Sequence, residues 1–296
     1  MGTTPATLRD VLAGLPRSVP AGRRGDAGRF PTGSVARRIN GETRVLLGGP
    51  RALLLQLAER HVAAGVADHS DFRSDPFGRL WNTLDLTLTV GFGDEARAKA
   101  AVTRVARTHA TVTGARGGEA YRAMDPRLLT WVHATLVDSA LVTYERFVGS
   151  VAPRARDAYV REMNRQGAAF GVPTDRLWPD HASFHRYLRA ALDRLDVGGE
   201  ARALAASVLH PAVTRPVVPV AGALAFVTAG LLPEPVRDAY GLPWDARRER
   251  VLGAVAGAAR AAGPLLPDAI RRWPHAREAD ARMPGTARPA PCEPGG

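Results

Sequence analysis

The sequence predicts an all-α protein, built as a single globular multi-helix domain. Three observations carry that prediction. Ala, Leu, Val and Arg dominate the composition, and Ala and Leu favour helix. Apolar residues recur at helical spacing in segment after segment. A single stretch alternates in the manner of a strand, and a lone strand would have no partner.

The elements follow in order. Residues 1–36 are rich in Gly, Pro and Arg, show little periodicity and read as a flexible or draped arm. Residues 51–66 are strongly apolar and read as one buried helix. Residues 83–90 run Thr-Leu-Asp-Leu-Thr-Leu-Thr-Val, which is strand-like locally; tertiary context is expected to make them helical. Residues 94–112 form a helix that Asp94 is placed to cap. The longest helix spans 126–148, with Asp125 as cap, Pro126 in its first turn and Gly149 as its stop. Residues 154–170 stop at Gly171, and 182–195 follow Pro179 and Asp180. Segments 200–209, 218–231, 234–240 and 244–262 complete the set. The uncharged run from Pro216 to Pro233 is short for a membrane span and is expected to be a buried core helix. The domain covers 37–272, and residues 273–296 are expected to be a disordered Pro/Gly-rich tail.

Composition excludes several function classes. Apolar residues make up 45% and charged residues 23%, as in an ordinary soluble protein. The formal charge is +11, yet Lys99 is the only lysine and the arginines are spread along the chain. A nucleic-acid binder would gather them on one stripe, so no nucleic-acid partner is expected. Cys292 stands alone, which rules out a disulfide within the chain, a multi-cysteine zinc site and an iron–sulfur cluster held by its own thiolates. No signal-peptide pattern opens the sequence. The expectation is a soluble cytoplasmic protein with no integral membrane segment.

The familiar enzyme signatures are missing. There is no P-loop, no G-x-S-x-G and no G-x-G-x-x-G, and Gly91-Phe92-Gly93 is too short to count. No Glu-x-x-His occurs, which argues against a di-iron carboxylate bundle. No Cys-x-x-Cys-His occurs, which excludes covalent haem of the c type. Eight histidines remain. His181 and His185 are four apart, a metal-ligand spacing without an obvious third ligand. His133 lies inside the longest helix, with Leu129, Leu136 and Val137 on its face. That setting suits a macrocycle ligand, but on pattern alone it is more commonly that of a core histidine bonded to a backbone carbonyl. Arg104 and Arg107, three apart and close to His109, could hold propionates or phosphates, or could form a solvated basic face.

At these residues the chain resembles a known family. It is the oxygenase family that contains the fungal mycophenolate-pathway oxygenase MpaB and the bacterial latex-clearing rubber oxygenases. The matching stretches include Arg38-Ile39-Asn40-Gly41-Glu42, Leu47-Gly48-Gly49-Pro50-Arg51, residues 62–70, residues 104–114 and, most specifically, residues 121–139. The resemblance implies non-covalent haem b in a pocket between helices, with His133 as the axial iron ligand and Val137 beside it. It implies dioxygen as co-substrate; the few charged residues within the predicted core helices point to a small apolar or secondary-metabolite molecule as substrate. Arg104 and Arg107 would line the haem pocket, with Thr103 and His109 as catalytic candidates. The sequence departs from the family at Glu59-Arg60, where a His-Pro pair is expected. The alternative is a non-catalytic haem carrier or sensor, or a helical interaction protein.

Overall fold

The computed structural model describes residues 6–7, 9, 19–69 and 76–283, with only the backbone of 76–80. It is all-α, with one small hairpin. The helices are α1 (Val35–Gly41), α2 (Gly49–Leu57), α3 (Arg60–His69), α4 (Pro76–Phe92) and α5 (Glu95–Ala110). Strands β1 (Thr113–Arg116) and β2 (Glu119–Arg122) follow. Then come α6 (Pro126–Phe147), α7 (Pro153–Ala169), α8 (His181–Leu192), α9 (Gly199–Leu209), α10 (Val218–Leu231), α11 (Glu234–Ala239), α12 (Ala246–Ala262), α13 (Asp268–Arg271) and α14 (Pro274–Ala281).

Helix α6 is the central post. The Asp125 carboxylate accepts from the Arg127 N–H, and Pro126 occupies the first turn, where no N–H is needed. Most of its residues are buried, because α2 and the 3-10 turn Thr43–Gly48 pack on one side and α1, α7, α8 and α12 on others. Helix α5 starts as expected, with the Asp94 side chain accepting from Arg97 N–H. Residues 83–90 lie within α4, and the Thr87 hydroxyl donates back to the Thr83 carbonyl at 2.7 Å.

Four expectations need correction. Residues 51–66 form two helices, not one. The Glu59 carboxylate accepts from the N–H groups of His61 and Val62 at 2.8 and 2.9 Å, so it caps α3 and breaks the run. The hairpin is unanticipated, although Gly117 and Gly118 mark it. Their φ values of +57° and +81° suit the tight turn that joins two strands twisted in the usual hand. Helix α10 is buried only toward its C-terminal end: Val227, Thr228, Ala229 and Leu231 are inside, whereas Val218 and Val220 are exposed. Finally, residues 273–283 are ordered. Trp273, His275, Ala276 and Ala279 are buried against the body of the protein.

Of the segment before α1, the described residues 19–34 run along the body of the protein. Phe30 is fully buried and meets Phe92 edge to face, with centroids 5.4 Å apart. A side chain at 91 would collide with the Phe30 ring, which is why glycine stands there. Arg37 donates to the carbonyls of Ala27 and Phe30 and pairs with Asp280 at 2.6 Å. Arg282 pairs with Glu278 and donates to the carbonyls of Asp26 and Phe92. The two ends of the described chain thus close on each other. Cys292 lies outside the described residues.

Candidate active site

The site is built along α6. Its side toward α2 is held by polar bonds in the interior. Arg51 is buried; its guanidinium donates to Asp138 Oδ2, Ser139 Oγ and the Leu231 carbonyl, each at 2.7 Å. All three directions of the fork are used, which offsets the cost of burying the charge. One turn nearer the N-terminus, Gln56 donates to Thr135 Oγ1 at 3.1 Å. The Trp131 indole donates to the Leu55 carbonyl at 3.2 Å. Gly48 allows this closeness, since a Cβ there would lie 2.8 Å from the Ser139 carbonyl oxygen.

His133 is oriented toward α7 and the Trp178 loop. It is buried, and its Nε2 has no hydrogen-bond partner. Burial holds its pKa at about 4, well below the usual 6.5, so the imidazole is neutral at pH 7. The Trp178 ring lies nearly parallel to it, 9° apart in plane and 5.9 Å between centroids. Trp178 is itself fixed by Phe184 and Tyr187 of α8 and by Asn164, which donates to its carbonyl at 2.6 Å. Gly167 of α7 faces the free edge of the imidazole. A Cβ at 167 would sit 2.6 Å from both Cδ2 and Nε2 of His133.

A neutral, buried imidazole nitrogen without a hydrogen-bond partner keeps a lone pair of the kind that can ligate a metal. Its donor chemistry therefore fits iron. Its surroundings set a limit: Gly167 packs so closely on the nitrogen that even a methyl group would collide with the ring, and a macrocycle could reach it only if α7 moved.

The other sequence candidates fall elsewhere. Val137 is buried one turn along α6 from His133. Thr103, Arg104 and Arg107 are exposed on α5, which packs on α4, and no side-chain bond joins these three to α6. His109 is half-buried near the end of the same helix. His181 and His185 stand with ring centroids 6.0 Å apart. Among the described residues, no three His, Cys, Asp or Glu side chains converge as a metal site. At the departure from the family, Glu59 and His61 join a surface ion network with Glu119 and Arg127. Sequence reasoning missed Arg51, Gly167 and Trp178. Arg51 was legible as a charge inside an apolar run; the other two became visible only when α7 and the Trp178 loop were placed.

The fold and site together define a class: an all-α domain that carries one buried, unpaired histidine on its central helix. Residues 37–261 match the family described as ER-bound oxygenase mpaB/B'/rubber oxygenase, catalytic domain. The chain belongs to that family. It is 27% identical to an uncharacterized protein of Mycobacterium bovis over 228 residues, covering 75% of this chain and 89% of that one. An uncharacterized protein of Mycobacterium tuberculosis matches at the same identity and coverage. No solved structure matches. Among the described residues, no helix is long and apolar enough to cross a membrane.

Proposed function

We propose that the protein is a haem b-dependent oxygenase in which His133 is the axial ligand, acting with dioxygen on a small apolar organic substrate. The unpaired Nε2 of His133 is the single observation that carries this proposal. Buried side-chain polar atoms are usually hydrogen-bonded, and Nε2 of His133 is among the few of the described residues that are not. Haem bound there would supply the redox and oxygen chemistry, and the protein the ligand, the orientation and the exclusion of water.

The chain's own residues have defined parts in this proposal. Arg51, Asp138 and Ser139 fix α6 against α2, and so fix the depth of His133. Trp178 holds the imidazole plane by stacking on it. The apolar surroundings, with Val137 on the same face, keep the imidazole neutral and its lone pair available. Arg104 and Arg107 are the cations within three residues of each other that could meet carboxylates at a solvent edge, with Thr103 and His109 beside them.

Titrating the purified protein with haemin tests the proposal. The expected result is a stoichiometric Soret band that His133→Ala shifts or abolishes while the helical fold persists. A protein that takes up no haemin, or binds it identically without His133, refutes the assignment. Oxygen uptake by the loaded protein with apolar substrates separates an oxygenase from a haem carrier.

A further inference from the structure

A second buried histidine faces a cavity far from His133 in sequence. His275 lies in α14, and the cavity of about 160 Å³ beside it is bounded by Pro20 of the arm, by Asp85 and Thr89 of α4, and by Glu278. That is an order of magnitude more room than one water needs, about 10–15 Å³. His275 is only 4% exposed, and neither of its ring nitrogens has a hydrogen-bond partner. Asp85 Oδ1 is 3.2 Å from Nε2 and draws the ring proton to that nitrogen, so Nδ1 is the one that keeps a lone pair. Buried polar atoms of this kind normally have partners, so a cavity beside two that lack them points to a ligand.

The charges around the cavity select its chemistry. The Arg97 guanidinium is committed to the carbonyls of Pro20 and Ala21, at 2.6 and 2.5 Å. Glu278 accepts from the Gly22 N–H at 2.6 Å and pairs with Arg282. Asp85 remains: among the described residues its one ionisable neighbour within ion-pair distance is His275. Burial holds the His275 pKa below its ordinary value although Asp85 pulls it upward, so the ring is neutral and keeps a lone pair. The open positions are therefore a carboxylate, an imidazole acceptor and a threonine hydroxyl. Anions are disfavoured by Asp85 and Glu278. A bare divalent cation lacks three converging ligand groups among the described residues.

We propose that this cavity binds a small organic ammonium ion, its N–H groups donating to Asp85, His275 and Thr89. An ammonium head has three donors and one positive charge, which match these acceptors and the uncompensated carboxylate. The carbon portion would rest against Pro20 and Phe92, which also line the cavity.

Propylammonium chloride is the probe, with propanol, propionate and sodium chloride as controls. Histidine ring signals of the full-length protein are followed by NMR, and His275→Gln identifies the relevant one. Propylammonium is expected to shift the His275 signal saturably, and the controls are not. Asp85→Asn, at a half-exposed position, is expected to weaken binding at least tenfold; Thr89→Val is expected to weaken it less. No saturation, an equal response to propanol or sodium chloride, or unchanged affinity in Asp85→Asn overturns the proposal. The propanol and salt controls decide the matter on the wild-type protein even where a variant does not fold. Haem plays no part in the measurement, so its outcome is independent of the assignment of His133.

Discussion

Two regions of this molecule are held by buried arginines, yet they are built on different principles. The α2–α6 seam joins two continuous helices through Arg51, Asp138 and Ser139, and buried apolar residues such as Leu54, Leu55, Val137 and Leu141 lie along it. The terminal clasp joins an irregular arm to a short C-terminal helix through Arg37, Arg282, Glu278 and Asp280. Many of its bonds run from guanidinium groups to backbone carbonyls, as at Ala27, Phe30, Asp26 and Phe92. The seam stabilises an order that helix propensity and periodicity already favour. The clasp creates order where local sequence favours none. The first fails globally when broken, and the second fails locally.

That contrast can be broken at four points, taken from the largest expected effect to the smallest. Asp138→Ala leaves Arg51 charged and buried without its carboxylate. Urea denaturation should show a loss of about 3–5 kcal/mol in global stability. A loss below about 1 kcal/mol would mean that the seam is no stronger than a surface ion pair.

Acidification comes next. Above pH 6.5 His133 is neutral in both the folded and unfolded chain, and its burial has no pH-dependent cost. Below that, the unfolded chain takes up a proton that the folded chain refuses until about pH 4. Stability therefore falls as pH drops through this window. At about 1.4 kcal/mol per pH unit, the loss amounts to roughly 3 kcal/mol. Subtracting the profile of His133→Gln from that of the wild type isolates the term. A flat difference between pH 6.5 and 4 would show that His133 is not sealed from water.

Gly167→Ala puts a methyl group against the His133 ring. Overpacking of this kind costs about 1–3 kcal/mol. The proposed function sharpens the expectation: if His133 held haemin, α7 would have to stand further from the ring, and the penalty should shrink in the loaded protein. An equal penalty in both states contradicts that withdrawal.

The smallest effect falls on the clasp. Asp280→Asn removes a partly exposed partner shared by Arg37 and Arg272. Global stability should fall by only about 1 kcal/mol. Hydrogen exchange should nevertheless speed up together in the segment after Gly22 and in α14, while α2 and α6 stay protected. Uniform acceleration would erase the distinction between the two regions.

The same contrast explains what the sequence could tell. Caps at Asp94, Asp125 and Asp180 act within three residues, and each is legible where it stands. The helix through His133 was legible for that reason, and it lies within the residues that match the family. The break at Glu59 was hidden, because a glutamate in an apolar run reads as helix until its carboxylate turns back to the N–H groups. The Gly117-Gly118 turn was legible in principle, but four-residue strands give too short a pattern to outweigh the helices around them. Helix α14 was hidden more deeply. Its burial depends on partners in the arm and in α4, and its Pro- and Arg-rich surroundings resemble a tail. Gly167 and Trp178 had no local signal, since their roles exist only once α7 and the following loop lie against α6.

The clasp also imposes an order in time. Arg282 donates to the Asp26 carbonyl across 256 residues of chain. During synthesis the arm emerges first, and it waits through the whole of the helical domain for the helix that fastens it. Phe30 can reach its pocket beside Phe92 early, but Glu278, Asp280 and Arg282 are among the last described residues to leave the ribosome. Until they do, the corner around Asp85 lacks the His275 and Glu278 that line it in the finished fold.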